Sequence, residues 1–172
     1  MKKRMTLIDE ARYLAISLHG MQKYDDGFPY YYHLEDVVDV LLEFGFTEDK
    51  YIISGYLHDA IEDTPISYND IKKKFGEEIA EIIYCLTDEL GRNRKERKEK
   101  TYPKIKSNRD SLIVKLADRI ANMKNSIKRG HRLGDMYKKE FPFFKNELYF
   151  KDDDIEPMWA NVEYLTNLGT TL

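Results

Sequence analysis

The segment Gly55–Thr64, GYLHDAIEDT, sets one imidazole and three carboxylates in an otherwise apolar, helix-patterned stretch. His58, Asp59, Glu62 and Asp63 stand where aliphatic side chains would bury more surface, so their presence there points to chemistry. At helical spacing Glu62 shares a face with His58, and Asp63 shares one with Asp59. Ile52, Ile53, Leu57, Ala60 and Ile61 stay apolar. The adjacent His58 and Asp59 point about 100° apart on a helix, and an ion between their directions is within reach of both. Two further residues have the same character. His33 closes the segment GFPYYYH, and Asp118 interrupts LIVKLADRIANM, with Asn122 four positions on and on the same face. Burying a carboxylate is costly unless it is neutralised or meets a cation. A divalent ion accounts for Asp59 and Asp118 together. Two imidazoles and two carboxylates suit Mn²⁺, Fe²⁺ or Zn²⁺, with coordination positions left open for water and substrate. Taken singly, Asp118 could pair with Lys115 or Arg119, and His33 could be an ordinary core histidine; their joint occurrence favours the metal. His131, after Gly130, reads as a loop histidine.

The elements that must carry these groups are helices. Leu7, Ala11, Leu14, Ala15 and Leu18 mark a first helix, and DDGFPYYY, with Gly27 and Pro29, reads as a loop ending at His33. Leu34, Val37, Val38, Leu41 and Leu42 mark a second helix, stopping near Gly45. Thr47 is the expected N-cap of a third, running to about Asp63 and closed by Pro65. Ser67 caps the next, Gly76 suits its stop, and Ile79, Ile82, Ile83 and Leu86 continue the pattern. The run RNRKERKEK is polar all round. Leu112, Ile113, Leu116, Ile120 and Met123 predict another strong helix, and the tail is helical with a break expected near Pro142. Met158 and Trp159 are expected to pack the last helix on the rest. No long period-two run requires a strand. The expectation is an all-α bundle forming a single domain over residues 1–172.

Bulk properties narrow the function. With 172 residues, 42% hydrophobic and 34% charged, the composition is that of an ordinary globular chain. A net charge of −3 gives no argument for a nucleic-acid or membrane partner. The lone Cys85 sits among Ile82, Ile83 and Leu86 and reads as a buried thiol. A reducing, cytoplasmic setting is expected, since no apolar run is long enough to span a bilayer and the basic MKKR leads into MTLIDEARYL, not into a signal-peptide core.

His33, the His58-Asp59 doublet and Asp118 reproduce the H…HD…D pattern of the HD metal-dependent phosphohydrolase superfamily, and the words around them narrow the likeness. HGMQKYDDGFPYYYH resembles H-x-G-Q-x-R-K-x-G-x-P-Y-x-x-H; LHDAIEDT resembles LHD-x-x-EDT; FGEEIAEIIYCLTD and KLADRIANM are similar to two further family words. In this order they resemble the RelA/SpoT-type (p)ppGpp hydrolase branch, in particular its small stand-alone members, over residues 8–150. The resemblance implies an HD-type helical bundle without a synthetase domain. It implies one Mn²⁺ held by His33, His58, Asp59 and Asp118, with Glu62 and Asp63 as the catalytic pair acting on the attacking water. Asn122 would lie near the ribose and Tyr30 in the nucleotide pocket. Arg94, Arg97 and Lys98 of the basic run are candidates for phosphate contact, and Tyr137 matches a pocket tyrosine. The implied reaction removes the 3′-pyrophosphate from ppGpp or pppGpp, a small-molecule nucleotide substrate, giving GDP or GTP.

The sequence departs from that pattern on the base-binding side. Tyr24-Asp25 replaces the family Arg-Lys pair; a tyrosine can still stack on a base, but an aspartate repels phosphate. Met21 and Leu34 replace a glycine and a proline. Two alternatives therefore stand beside the alarmone reading: an HD phosphohydrolase acting on another nucleotide, and a nucleotide-binding module of weak activity. The oligomeric state is not legible.

Overall fold

The computed structural model describes residues 5–130 and 133–168, so His131 lies outside the described residues. Among the described residues ten helices follow in order: α1 (Leu7–His19), α2 (Tyr31–Glu43), α3 (Asp49–Leu57), α4 (Ala60–Asp63), α5 (Tyr68–Phe75), α6 (Glu77–Leu86), α7 (Arg94–Ser107), α8 (Arg109–Arg129), α9 (Leu133–Leu148) and α10 (Glu156–Leu168). Among the described residues there is no strand, only an isolated bridge between Lys23 and Pro29. The chain is all-α, as its periodicity requires.

Local chemistry sets the ends. Thr6 and Asp9 form a capping box at α1, and Ser67 and Asp70 form one at α5. Asn93 and Asn108 cap α7 and α8 through their side chains, and Gly130 ends α8 in the left-handed conformation. Gly76 joins α5 to α6 at φ +93°, which a side chain would oppose.

Five expectations are corrected. The third helix does not run to about Asp63 as one element: it ends at Leu57, His58 and Asp59 form a kink, and α4 restarts at Ala60. Its N-cap is Glu48, with no side-chain hydrogen bond, not Thr47. His33 lies inside the first turns of α2 and does not end a loop, because only Gly27 and Pro29 break the pattern and the helix starts directly after Tyr30. The basic run, from Arg94 on, is the start of α7, supported by the Asn93 cap and by Arg92–Glu96 and Lys100–Glu96 ion pairs. Pro142 sits within α9 without ending it; the packing of Phe144 and Leu148 beneath outweighs one missing backbone bond.

Two apolar clusters hold the bundle. One joins Val37 and Leu41 of α2 to Leu112, Leu116 and Ile120 of α8 and to Phe144, Trp159 and Val162 of α9 and α10. The other joins Ala11 and Ala15 of α1 to Leu34 and Val38 of α2, Ile53 and Leu57 of α3, and Ile71 and Ile83 of α5 and α6. Met158 and Trp159 are core residues, and Cys85 is a buried free thiol. Since α2 feeds both clusters, its N-terminal turn is held rigidly between them. Helix α3 approaches it closely at Gly55, where an added Cβ would lie 2.9 Å from Leu41 Cδ1 and 3.0 Å from Val38 Cγ2. That close approach brings His33 on α2 up to His58 at the end of α3. No described helix is long and apolar enough to cross a membrane.

Candidate metal centre and catalytic cleft

Three buried side chains converge where α2, α3 and α8 meet. One ligand-type atom from each of His33, His58 and Asp118 lies within 4.8 Å of the others. Asp118 Oδ1 is 3.2 Å from His33 Nε2 and 3.6 Å from His58 Nε2. Asp59 stands at the edge of this group, its Oδ2 3.0 Å from His58 Nε2, and it accepts a hydrogen bond from the Tyr30 hydroxyl.

The His58 proton can be placed. Its Nδ1 is 2.8 Å from the Gly55 carbonyl, which only accepts, so Nδ1 carries hydrogen. Nε2 is buried and has no hydrogen-bond partner, although two carboxylates lie near it. An orphaned imidazole nitrogen fixed by a backbone bond at its far side is the arrangement of a metal ligand. The donor set of nitrogen and carboxylate oxygen fits a first-row divalent ion. Burial would lower the His58 imidazole, but the charges of Asp59 and Asp118 outweigh it and raise it well above its ordinary value. Burial would raise Asp118, and Lys115, His33 and His58 instead hold it well below the carboxylate range.

Asp118 is held on its other side. Lys115 Nζ donates to Oδ2 at 2.8 Å, and Asn122 Nδ2 donates to Oδ1 at 2.7 Å. Asn122 Oδ1 accepts from the Tyr24 hydroxyl, and the Tyr24 ring stacks on His33 with centroids 5.1 Å apart. Arg119, the alternative partner for Asp118, turns away: it lies 4.2 Å over the rings of Tyr137 and Phe144 and near Glu140.

Glu62 and Asp63 follow on α4 and line a cleft of about 310 Å³ together with Asp59, Asp118 and Asn122. Glu62 Oε2 accepts the Asp88 backbone N–H at 3.0 Å, and Asp63 accepts from Gln22 at 3.2 Å. Desolvation in the cleft, reinforced by the Asp59 charge, raises both carboxyls above their ordinary values. An upward shift makes a carboxylate a better proton acceptor, which suits a general base.

The opposite wall is basic. Arg94, Arg97 and Lys98 of α7 and Tyr137 of α9 all line the cleft. Arg94 is clamped by Glu140, and both Asp88 oxygens are 2.8 Å from Lys98 Nζ. Arg97 lies only 3.9 Å from Asp88, with Nε unpartnered. Burial pushes the Tyr137 hydroxyl up to about 12. Lys23, in the loop between α1 and α2, also lines the cleft. A second groove of about 520 Å³ adjoins through Tyr24 and His33, bounded by Phe28, Tyr32 and residues of α2 and α8. Residue-by-residue reading assigned no role to His19, Gln22, Asp88 and Glu140, because the contacts that tie them to the cleft, Gln22 to Asp63, Asp88 to Glu62 and Glu140 to Arg94, join positions distant in sequence. Lys115 was visible only as one possible partner of Asp118.

Comparison with known proteins agrees with this geometry. The HD domain family model matches residues 11–140. A guanosine-3′,5′-bis(diphosphate) 3′-pyrophosphohydrolase of Aquifex aeolicus is 34% identical over 122 residues, covering 68% of this chain and 17% of that protein. The Drosophila melanogaster protein of the same name is 30% identical over 99 residues, 56% of this chain and 55% of that one. The chain thus spans well under two thirds of the length of these relatives. Among solved structures, that of a metazoan ortholog of SpoT, which hydrolyses ppGpp, superposes with a TM-score of 0.81 over the whole of both chains at 21% identity. A Listeria monocytogenes protein gives 0.66 at 25% identity, over 83% of this chain and 98% of its own. With a family model covering most of its length and a buried His-His-Asp group at the matching pattern, this chain is a member of the HD domain family.

Proposed function

We propose that this protein is a metal-dependent phosphohydrolase that removes the 3′-pyrophosphate from guanosine 3′,5′-bis(diphosphate) or its pentaphosphate form, with Mn²⁺ as the ion. The observation that carries the reading is the unpartnered His58 Nε2, turned toward Asp59, Asp118 and His33 one helical turn before Glu62 and Asp63. The names of the relatives supply the substrate class.

His33, His58, Asp118 and Asp59 would hold the ion, which supplies Lewis-acid polarisation and lowers the pKa of water. Glu62, anchored by the Asp88 N–H, takes the proton of the attacking water; Asp63 orients that water beside it. Arg97, the least engaged of the three α7 cations that line the cleft, meets the phosphates, supported by the clamped Arg94 and Lys98. Asn122 and Tyr24 border the sugar, and Tyr30 steadies Asp59. The adjoining groove, with Phe28 and Tyr32 on its wall, accommodates the base. Phosphoryl transfer needs positioning and charge neutralisation above all, and these groups supply both.

The test is pyrophosphate release from guanosine 3′,5′-bis(diphosphate) with Mn²⁺, comparing the parent chain with His58→Ala. Release by the parent and none by His58→Ala is expected. A second reading, hydrolysis of another nucleotide, is favoured by Tyr24-Asp25 at the family Arg-Lys position. No release from the alarmone, with turnover elsewhere in a panel of nucleoside mono-, tri- and dinucleotides, would establish it. Nucleotide binding without any turnover would leave only a binding module.

A further inference from the structure

Two residues, His19 at the end of α1 and Gln22 just beyond it, serve neither as metal ligands nor as the catalytic pair, yet they reach one of its members. His19 is 4% exposed and its ring lies 4.8 Å from that of Tyr30. Its Nδ1 is 2.8 Å from Gln22 Oε1, and Gln22 Nε2 donates to Asp63 Oδ2 at 3.2 Å. The proton directions follow from the chemistry. A carboxylate only accepts, so Gln22 turns its NH₂ toward Asp63; its amide oxygen then faces His19, and Nδ1 must carry hydrogen. His19 Nε2 is left buried and unpartnered. A phenylalanine would fill the same space without that cost. What the imidazole adds is the Nδ1–H bond to Gln22. The backbone of Gln22 is pinned as well: its N–H donates to the His19 carbonyl at 2.8 Å, and its carbonyl accepts from Tyr30 N at 2.9 Å.

We propose that His19 and Gln22 are positioning residues for Asp63, a chain from Nδ1–H through the Gln22 amide to Oδ2 that holds the carboxylate oriented at the cleft. Asp63 lies on the short α4 directly after a kink and is open to solvent, so its own helix does little to fix its rotamer. Asp59 and His58 act on it from the kink, and Gln22 and His19 from the end of α1. Among the described residues, only Gln22 makes it a directional bond with a side chain. Losing either positioning residue frees Asp63 to turn away while every metal ligand stays in place.

The proposal rests on the hydrolase reading for its kinetic arm but has an arm of its own. With guanosine 3′,5′-bis(diphosphate) and Mn²⁺, Gln22→Leu and His19→Phe are expected to lower kcat about tenfold at little change in KM, as outer-sphere losses do. Mn²⁺ affinity, read by electron paramagnetic resonance, should stay within twofold. His19→Asn, which keeps an N–H near the Nδ1 position, should recover most of the rate. Independently of turnover, carbon-13 titration of the Asp63 carboxyl in the full chain should move upward in Gln22→Leu, because a bond favouring the charged form is lost. An unchanged titration or an unchanged kcat overturns the proposal. So does a rate loss that tracks lower Mn²⁺ affinity or thermal stability and is not rescued by His19→Asn, which would assign these residues to packing. If the parent chain releases no pyrophosphate, the substrate reading fails, and the Asp63 titration still decides the relay.

Discussion

The two walls of the cleft handle charge in opposite ways. On the α3–α4 and α8 side, His58 Nε2 has no partner, Asp59 and Asp118 crowd the same imidazole, and Glu62 and Asp63 are raised by desolvation and by Asp59. On the α7 and α9 side, Arg94 is clamped by Glu140 and Lys98 by both Asp88 oxygens. The first wall is left electrostatically incomplete and the second is nearly closed on itself. Such an incomplete wall is one that a cation would complete; the satisfied pairs serve as scaffold and, of the three cleft-lining cations of α7, leave Arg97 with capacity to spare.

The largest effect should come from the incomplete wall. Asp118→Ala is expected to abolish Mn²⁺ binding and to cut activity by about 10³-fold or more, measured by calorimetry and pyrophosphate release. Full retention of metal would break the contrast. Glu62→Gln should keep the metal and lose roughly 10²–10⁴-fold in kcat, the usual worth of a general base; retained kcat would remove Glu62 from that role. On the satisfied wall the costs change kind. Lys98→Ala leaves the Asp88 carboxylate without its main partner, and thermal denaturation should report a loss of about 3 kcal/mol. Arg97→Ala should leave stability nearly untouched and raise KM roughly tenfold, the worth of one charge-assisted phosphate contact. Equal effects of these two substitutions on stability and KM would erase the distinction between scaffold and free cation.

The smallest effect concerns pH. In chelator-treated protein, the charged His58 is favoured by Asp59 and Asp118, so its folded pKa lies above its unfolded value. That contribution is fully present below the unfolded pKa of about 6.5 and is lost as pH rises through the raised folded value. Thermal stability attributable to this group should therefore decline above about pH 6.5 in the metal-free chain. Added Mn²⁺ should restore it increasingly at higher pH, because the ion binds the deprotonated imidazole. A melting temperature that climbs across that range without metal would contradict the geometry of His58.

The helices were largely legible because apolar spacing and caps are local. Ser67 caps α5 as its sequence suggests, and the α8 pattern from Leu112 to Met123 is buried as expected. The errors fell where local and tertiary terms compete. A helix pattern ran on through His58 and Asp59, yet the chain kinks there. Pro142 looked like a stop, yet the apolar packing around Phe144 and Leu148 carries α9 past it. The polar run after Asn93 offered no apolar face to read, and its helix rests on a cap and on charge pairs.

By itself the sequence singled out the candidate side chains for the chemistry, because a histidine or carboxylate in an apolar frame is costly wherever the chain places it. Order and spacing then tied His33, His58, Asp59 and Asp118 to one family pattern. Only the tertiary structure decided how those groups face one another and which charges remain free. It set the His58 tautomer through Gly55 and separated Arg97 from Lys98. It also joined His19 to Asp63, 44 positions apart in the chain. Hydrogen bonds and ion pairs act over a few ångströms of space, and sequence distance carries no record of them.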